Sequence, residues 1–182
     1  MKAVFIVDKS KIAKILIDPM RRAILDLLRQ KPMTQTQLAN ELGLSAPSLN
    51  YHIKLLKSIN VVVIAKKQVE AHGITQIFYS SIAYFFVYDL DTLPRDIGRY
   101  FYPLSLERAR AVVSVLLLKN KSFKIEQTPD GINRISRELS RIITNVARSF
   151  IARDVLQGKE SVAFEIYVRS VQHLLENMKS KK

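Results

Sequence analysis

The residues of this chain with the clearest chemical potential lie between Ser45 and Lys57. Over "SAPSLNYHIKLLK", Leu49, Ile53 and Leu56 recur at spacings of four and three, which puts them on one face of a helix. Ala46, Pro47, Ser48, Asn50, Tyr51 and Lys54 are then sent outward. Short polar groups beside a cation suit the edges of nucleic-acid bases. Asn50 can pair bidentately with adenine, Ser48 can read either partner, and Ala46 can touch a thymine methyl. Thr34, Gln35 and Lys57 suit phosphates, which fix register without reading sequence. Ser45 opens the helix and completes this end of the expected DNA-binding set. His52 fits a buried or phosphate-facing packing residue at least as well as a base contact. Lys66, Lys67, His72 and Gln76 fall in a following hairpin, whose basic tip can track the backbone or enter the minor groove. Lys66 and Lys67 also fit an ordinary solvated strand.

Other chemistries find little support. There are no cysteines, which removes disulfides, thiolate metal sites and cysteine nucleophiles together. His52, His72 and His173 are scattered, and neither G-x-S-x-G nor a phosphate-binding loop occurs. His173 and Glu176 have a His-x-x-Glu spacing, which on an otherwise apolar helix reads as surface or packing. Asp89 and Asp91 suit a turn better than a catalytic dyad. The expectation is therefore no catalysis, no metal and no cofactor.

The elements that must position these residues follow a definite order. Asp18 and Pro19 start a helix whose apolar positions are Ile24, Leu25, Leu27 and Leu28, and Pro32 stops it. Thr34 with Gln37 forms a capping box for a helix carrying Leu38, Ala39 and Leu42, ended by Gly43. A turn of about three residues leads to the 45–57 helix, ended by Asn60, the spacing of a helix-turn-helix. After Asn60, "VVVIAKKQVEAHGITQIFYSS" is rich in β-branched and aromatic residues and is broken at "EAHG", giving a hairpin over 61–80 with Gly73 in the turn. Three helices and a hairpin are the order of a winged helix.

From about residue 83 the chain is expected to turn helical again, though "YFFVYDLDTLP" is ambiguous and Pro94 and Pro103 interrupt it. Helices are expected over about 105–118, 132–153 and 160–178, the second separated from the first by a break at "QTPDG". Arg134, Arg137, Arg141, Arg148 and Arg153 read as the wet side of the second rather than as another nucleic-acid face. The fold class is thus mainly α with a small β-hairpin: a DNA-binding unit over 1–84 and a helical dimerisation region over 85–182. The apolar stripes of the last helices need partners, in one chain or in a symmetric second copy. They could also enclose a small apolar effector.

Composition agrees. The formal net charge of +13, carried more densely over residues 1–70 than beyond, attracts polyanions. With 48% hydrophobic residues the chain should fold, and no apolar run approaches the ~18 residues of a membrane span. No cleavage pattern follows the N-terminal apolar patch, so a cytoplasmic location is expected.

"DPMRRAILDLL", "TQLANELGLSAPSLNYHIKLLKSINVVV" and the hairpin ending "IFYSS" resemble the winged-helix repressors of the ArsR superfamily. The resemblance covers about residues 14–84, and the helical remainder is similar to that of larger archaeal members. It implies a transcriptional repressor in which His52 holds the family's histidine position. The chain departs from the metal-sensing members: "NELGLS" lacks their cysteine motif, and no Asp-x-His precedes His173 and Glu176. The leading expectation is a homodimeric repressor on a palindromic operator, with the 45–57 helix in the major groove and the hairpin as wing. A non-specific architectural protein that coats DNA is the alternative. A winged helix used for protein contacts is a third reading, opposed by the basic face.

Overall fold

A computed structural model describes residues 1–69, 73–119, 127–156 and 161–180. Two parallel strands, β1 (Lys2–Val7) and β4 (Ala83–Tyr88), pair in register from Lys2 with Ala83 to Val7 with Tyr88. Parallel strands require a long crossover. Here the crossover is a whole unit: α1 (Ser10–Leu16), α2 (Pro19–Gln30), α3 (Gln35–Leu42), α4 (Ala46–Ser58), then the hairpin β2 (Val62–Val69) and β3 (Thr75–Ser81). The chain continues through α5 (Arg95–Gly98), α6 (Tyr102–Lys119), α7 (Pro129–Arg148) and α8 (Ser161–Ser180).

The strand pair divides two hydrophobic cores. Phe5, Val7, Phe86 and Tyr88 belong to the core of the first unit, whereas Val4, Ile6, Phe85 and Val87 belong to that of the C-terminal helices. Burial on both faces requires apolar side chains at successive positions, which removes the alternation that marks a half-buried strand. This corrects the expectation of helix from about residue 83: "AYFFVY" is a strand, and its partner is the N-terminal apolar patch. The other edge of β1 is used as well. Ala3 N donates to Arg153 O at 2.8 Å and Val155 N donates to Met1 O at 3.0 Å.

The first core forms as the local signals dictate. Asp18 Oδ1 accepts from Met20 N at 2.8 Å and from Arg21 N at 3.3 Å, with Pro19 at the first position of α2. Thr34 and Gln37 make the reciprocal capping box of α3. Gly43 (φ +62°) ends that helix in the left-handed region, and Asn60 (φ +57°) follows the end of α4. Leu28, Leu38, Leu49, Ile53 and Leu56 are fully buried where α2, α3 and α4 meet. Each contributes about 1.5–3 kcal/mol on removal from water. In the hairpin the register slips between Ile64 and Lys66, so Ala65 is an extra residue in β2. Met33 and Tyr79 exchange backbone hydrogen bonds of 3.0 and 2.8 Å, tying β3 to the segment before α3. Helix α1 was not expected from the sequence; Lys9 at its cap provides no side-chain hydrogen bond.

In the second unit α7 packs against both α6 and α8. Helix α6 begins at Tyr102, with Pro103 tolerated in its first turn rather than interrupting it. Helix α7 spans Pro129–Arg148 rather than 132–153. Thr128 caps it by accepting from Gly131 N at 3.1 Å, and Pro129 holds the first position, so the expected break at "QTPDG" is a helix start.

Candidate nucleic-acid interface

Helix α4 owes its start to Ser45, whose Oγ accepts from Ser48 N at 3.4 Å, and to Pro47 in the first turn. With Leu49, Ile53 and Leu56 on the core, a turn of 100° per residue places Pro47, Tyr51 and Lys54 at the centre of the opposite arc. Ser48 lies on one shoulder of that arc; Asn50 and Lys57 lie on the other. Tyr51 is 60% exposed and Lys54 is also exposed, whereas Ser48 and Asn50 are partly covered. Ala46 stands exposed at the first position. From Leu42 to Val69 there is no Asp or Glu, so the helix and the first wing strand present cations without a competing carboxylate of their own.

His52 sits on the core side of the arc. Its ring is edge-on to Tyr51 with centroids 5.7 Å apart, and its Nδ1 is buried without a hydrogen-bond partner among the described residues. Lys57 Nζ stands 5.7 Å from the centroid of the Tyr79 ring, at the base of the hairpin.

A second part of the surface is a cleft of about 480 Å³ between the start of α3 and strand β3. Thr34, Gln35 and Thr36 line one side; Thr75, Gln76 and Tyr79 line the other. The first turn of a helix directs backbone N–H groups and the positive end of its dipole outward, which favours an anion. Thr34 Oγ1 is already the acceptor for Gln37 N at 3.2 Å, and Gln35 Nε2 reaches Tyr79 Oη at 3.5 Å. Thr36, Thr75 and Tyr79 were not singled out in the sequence. The capping box that starts α3 was the signal for the first of them.

In the hairpin, Lys66 pairs with Phe78 and Lys67 with Ile77. Consecutive strand residues point to opposite faces, so the two lysines cannot share one contact surface. Lys66 Nζ lies 4.3 Å from the Phe78 ring centroid and 3.4 Å from Gln68 Oε1. Gln76 stands opposite Gln68. His72 lies outside the described residues.

The remaining charged residues weighed in the sequence have local duties. Arg141 Nε donates to Asp91 Oδ2 at 3.0 Å, Arg148 Nη2 to Asp89 Oδ2 at 2.7 Å, and Arg153 Nη1 to Glu165 Oε2 at 2.7 Å. Arg134 and Arg137 are exposed on α7. Among the described residues, no three His, Asp or Glu side chains are grouped to hold a metal. No described helix is long and apolar enough to cross a membrane.

Residues 16–64 match a family described as a helix-turn-helix domain, and this stretch holds α2, α3 and α4. Over 53 residues the chain is 38% identical to the transcriptional repressor SdpR of Bacillus subtilis (strain 168). The shared stretch covers 29% of this chain and 59% of that relative, so the chain spans less than two thirds of its length. Two solved structures overlap more loosely. NolR from Sinorhizobium fredii gives a TM-score of 0.34 at 26% identity, covering 52% of this chain and 78% of the other. Bacillus subtilis PadR in complex with operator DNA gives a TM-score of 0.34 at 12% identity, covering 90% and 96%. The match over 16–64 and the chain's own helices, caps and turn agree on a helix-turn-helix arrangement over these residues.

Proposed function

We propose that the protein is a sequence-specific transcription repressor of the ArsR-superfamily type, acting on double-stranded DNA as a homodimer. Helix α4 enters the major groove, the β2–β3 hairpin is the wing, and the cleft at the start of α3 takes a backbone phosphate. The observation that carries this reading is the outward arc of α4: Pro47, Tyr51 and Lys54 at its centre, Ser48 and Asn50 on its shoulders, in a stretch free of carboxylates. The likeness to a transcriptional repressor over 53 residues supports it. In a symmetric dimer two such helices would lie about 34 Å apart on one face of the duplex.

On this reading Asn50 and Ser48 contact base edges, Ala46 a thymine methyl, and Thr34, Gln35 and Lys57 the backbone. Lys66, Lys67 and Gln76 belong to the wing, and one of the two lysines faces the duplex. Fluorescence anisotropy across a salt series, on the DNA upstream of the protein's own gene and on a scrambled duplex of equal length, tests the reading. A preference of about a hundredfold or more for one duplex at moderate salt is expected of a specific regulator. Equal affinities with a steep salt dependence would instead favour a protein that coats DNA without reading it.

A further inference from the structure

We propose that the groove where α2, β4, α6 and α8 meet binds a small organic anion, a flat apolar body carrying one carboxylate, held between Arg29 and Arg108. The groove has a volume of about 300 Å³, and Tyr84, Phe85, Phe164 and Tyr167 supply its apolar lining. Its two cations are set against aromatic faces. The Arg29 guanidinium carbon lies 5.4 Å from the Tyr84 ring centroid, and that of Arg108 lies 5.4 Å from the Tyr167 centroid. Phe85 and Tyr167 meet edge-on at 5.6 Å, so these two rings form one aromatic corner of the groove.

Neither cation is fully matched. Arg108 has no carboxylate within ion-pair distance among the described residues. Arg29 Nη2 reaches Asp26 Oδ1 at 3.3 Å, but its Nε is buried with no hydrogen-bond partner among the described residues. A guanidinium packed on an aromatic face and partly removed from water gains more from a carboxylate than a fully hydrated one does, because the fork is already oriented and partly desolvated. Phe164 is 65% exposed at the mouth, an aromatic ring left for a ligand's apolar body. Burial pushes the Tyr167 phenol above its ordinary pKa even though Arg108 and Arg29 both pull it down.

The other grooves carry less. The one between α6 and α7 mixes Asp130 with Arg137 and selects neither sign of charge. The cleft at the start of α3 is already part of the proposed DNA surface. The α2–α8 groove also joins the two cores. Arg29 shares α2 with Ile24, Leu25 and Leu28 of the first core, whereas Phe85 and Tyr167 belong to the second. An anion there would bridge the helix-turn-helix unit and the C-terminal helices. The expectation of an apolar effector, if any, thereby becomes one of an amphipathic acid.

The test is calorimetric titration of the full chain with 1-naphthoate and with 1-naphthalenemethanol, which keeps the ring and lacks the charge. It needs no DNA, so it stands or falls separately from the proposed function. The acid should bind one per chain, at least about tenfold tighter than the alcohol. Arg108→Gln should lose about tenfold for the acid and leave the alcohol unchanged; Phe164→Ser, at an exposed position outside the core, should weaken both. No binding of the acid, equal binding of acid and alcohol, or an Arg108→Gln variant that binds the acid like the parent would each overturn the proposal.

Discussion

Arg148 Nη2 lies 2.7 Å from Oδ2 of Asp89, whose side chain is 8% exposed, while the arginine side chain is 47% exposed. This pair joins the end of α7 to the residue that follows β4. Asp89 also accepts from Leu93 N and Thr92 Oγ1 through its carbonyl oxygen, at 3.1 Å each. The turn after β4 is thus organised around one residue, and its carboxylate ties that turn to the end of α7. Truncating the arginine leaves a buried carboxylate with less compensation. Arg148→Met should cost about 1–3 kcal/mol in urea unfolding, the cost of an unsatisfied buried group and less than the ~3–5 kcal/mol of a fully buried pair, because Arg148 is half exposed. A double-mutant cycle with Asp89→Asn that shows no coupling would mean the pair does not tie the units together.

Gly43 tests the turn of the helix-turn-helix. An added Cβ would meet nothing within 4 Å, so the only penalty of Gly43→Ala is the left-handed backbone at φ +62°. That strain should cost about 1–2 kcal/mol. Thr34→Ala removes one arm of the capping box and should cost about 1 kcal/mol. Leu56→Ala, at a fully buried position, should cost about 2–5 kcal/mol. Thermal and urea melts in which Leu56→Ala is the least destabilised of the three would contradict the packing described for α4.

Glu165 gives the C-terminal unit a dependence on acid. Its carboxyl is held below its ordinary value of 4.5, chiefly by the hydrogen bond from Arg153, with Arg169 adding to the charge attraction. The folded state therefore binds this proton less readily than the unfolded state. The contribution is fully present above the ordinary value and is lost as pH falls through it toward the lower folded one. Glu165→Gln should flatten the fall in stability below about pH 4.5 and leave the shape of the curve above pH 6 unchanged. Parallel melting curves for parent and variant through the acid range would contradict the assignment.

On the proposed DNA surface, the residues assigned to bases and those assigned to the backbone should separate by how they fail. Asn50→Ala should lose about 1–3 kcal/mol of operator affinity and relax preference at one base pair. Lys57→Gln should weaken binding to all duplexes alike and lower the salt slope by about 1. If Asn50→Ala, correctly folded, binds an operator as the parent does, Asn50 does not lie in the groove, and Tyr51, at the centre of the exposed arc, is the residue to change next.

The helix-turn-helix was legible because each of its boundaries carries its own local chemistry: Asp18, Thr34 and Ser45 as caps, Gly43 as the stop, and apolar spacings between them. The same grammar was present at Thr128 and Pro129, but Gly131 in "TPDG" imitates a turn; only packing shows it as a buried residue inside α7. Strands β1 and β4 could not be read from periodicity. They lie between two cores and are apolar on both faces, and their partnership spans some eighty residues of sequence. For the surface, Tyr51 and Lys54 followed from helical arithmetic, whereas Thr75 and Tyr79 enter only because β3 folds back beside the start of α3. The Arg29 and Arg108 groove joins four elements and had no sequence signature.

The central claim is that α4 reads sequence as one of a symmetric pair. Repeated selection of duplexes from a randomised pool at moderate salt, followed by sequencing, tests it without knowledge of any target gene. An enriched inverted repeat with half-site centres about one helical turn apart, lost from the selection with Asn50→Ala, is the predicted result. A pool that stays random while binding remains strong would contradict the claim and leave a basic winged helix that holds DNA without reading it.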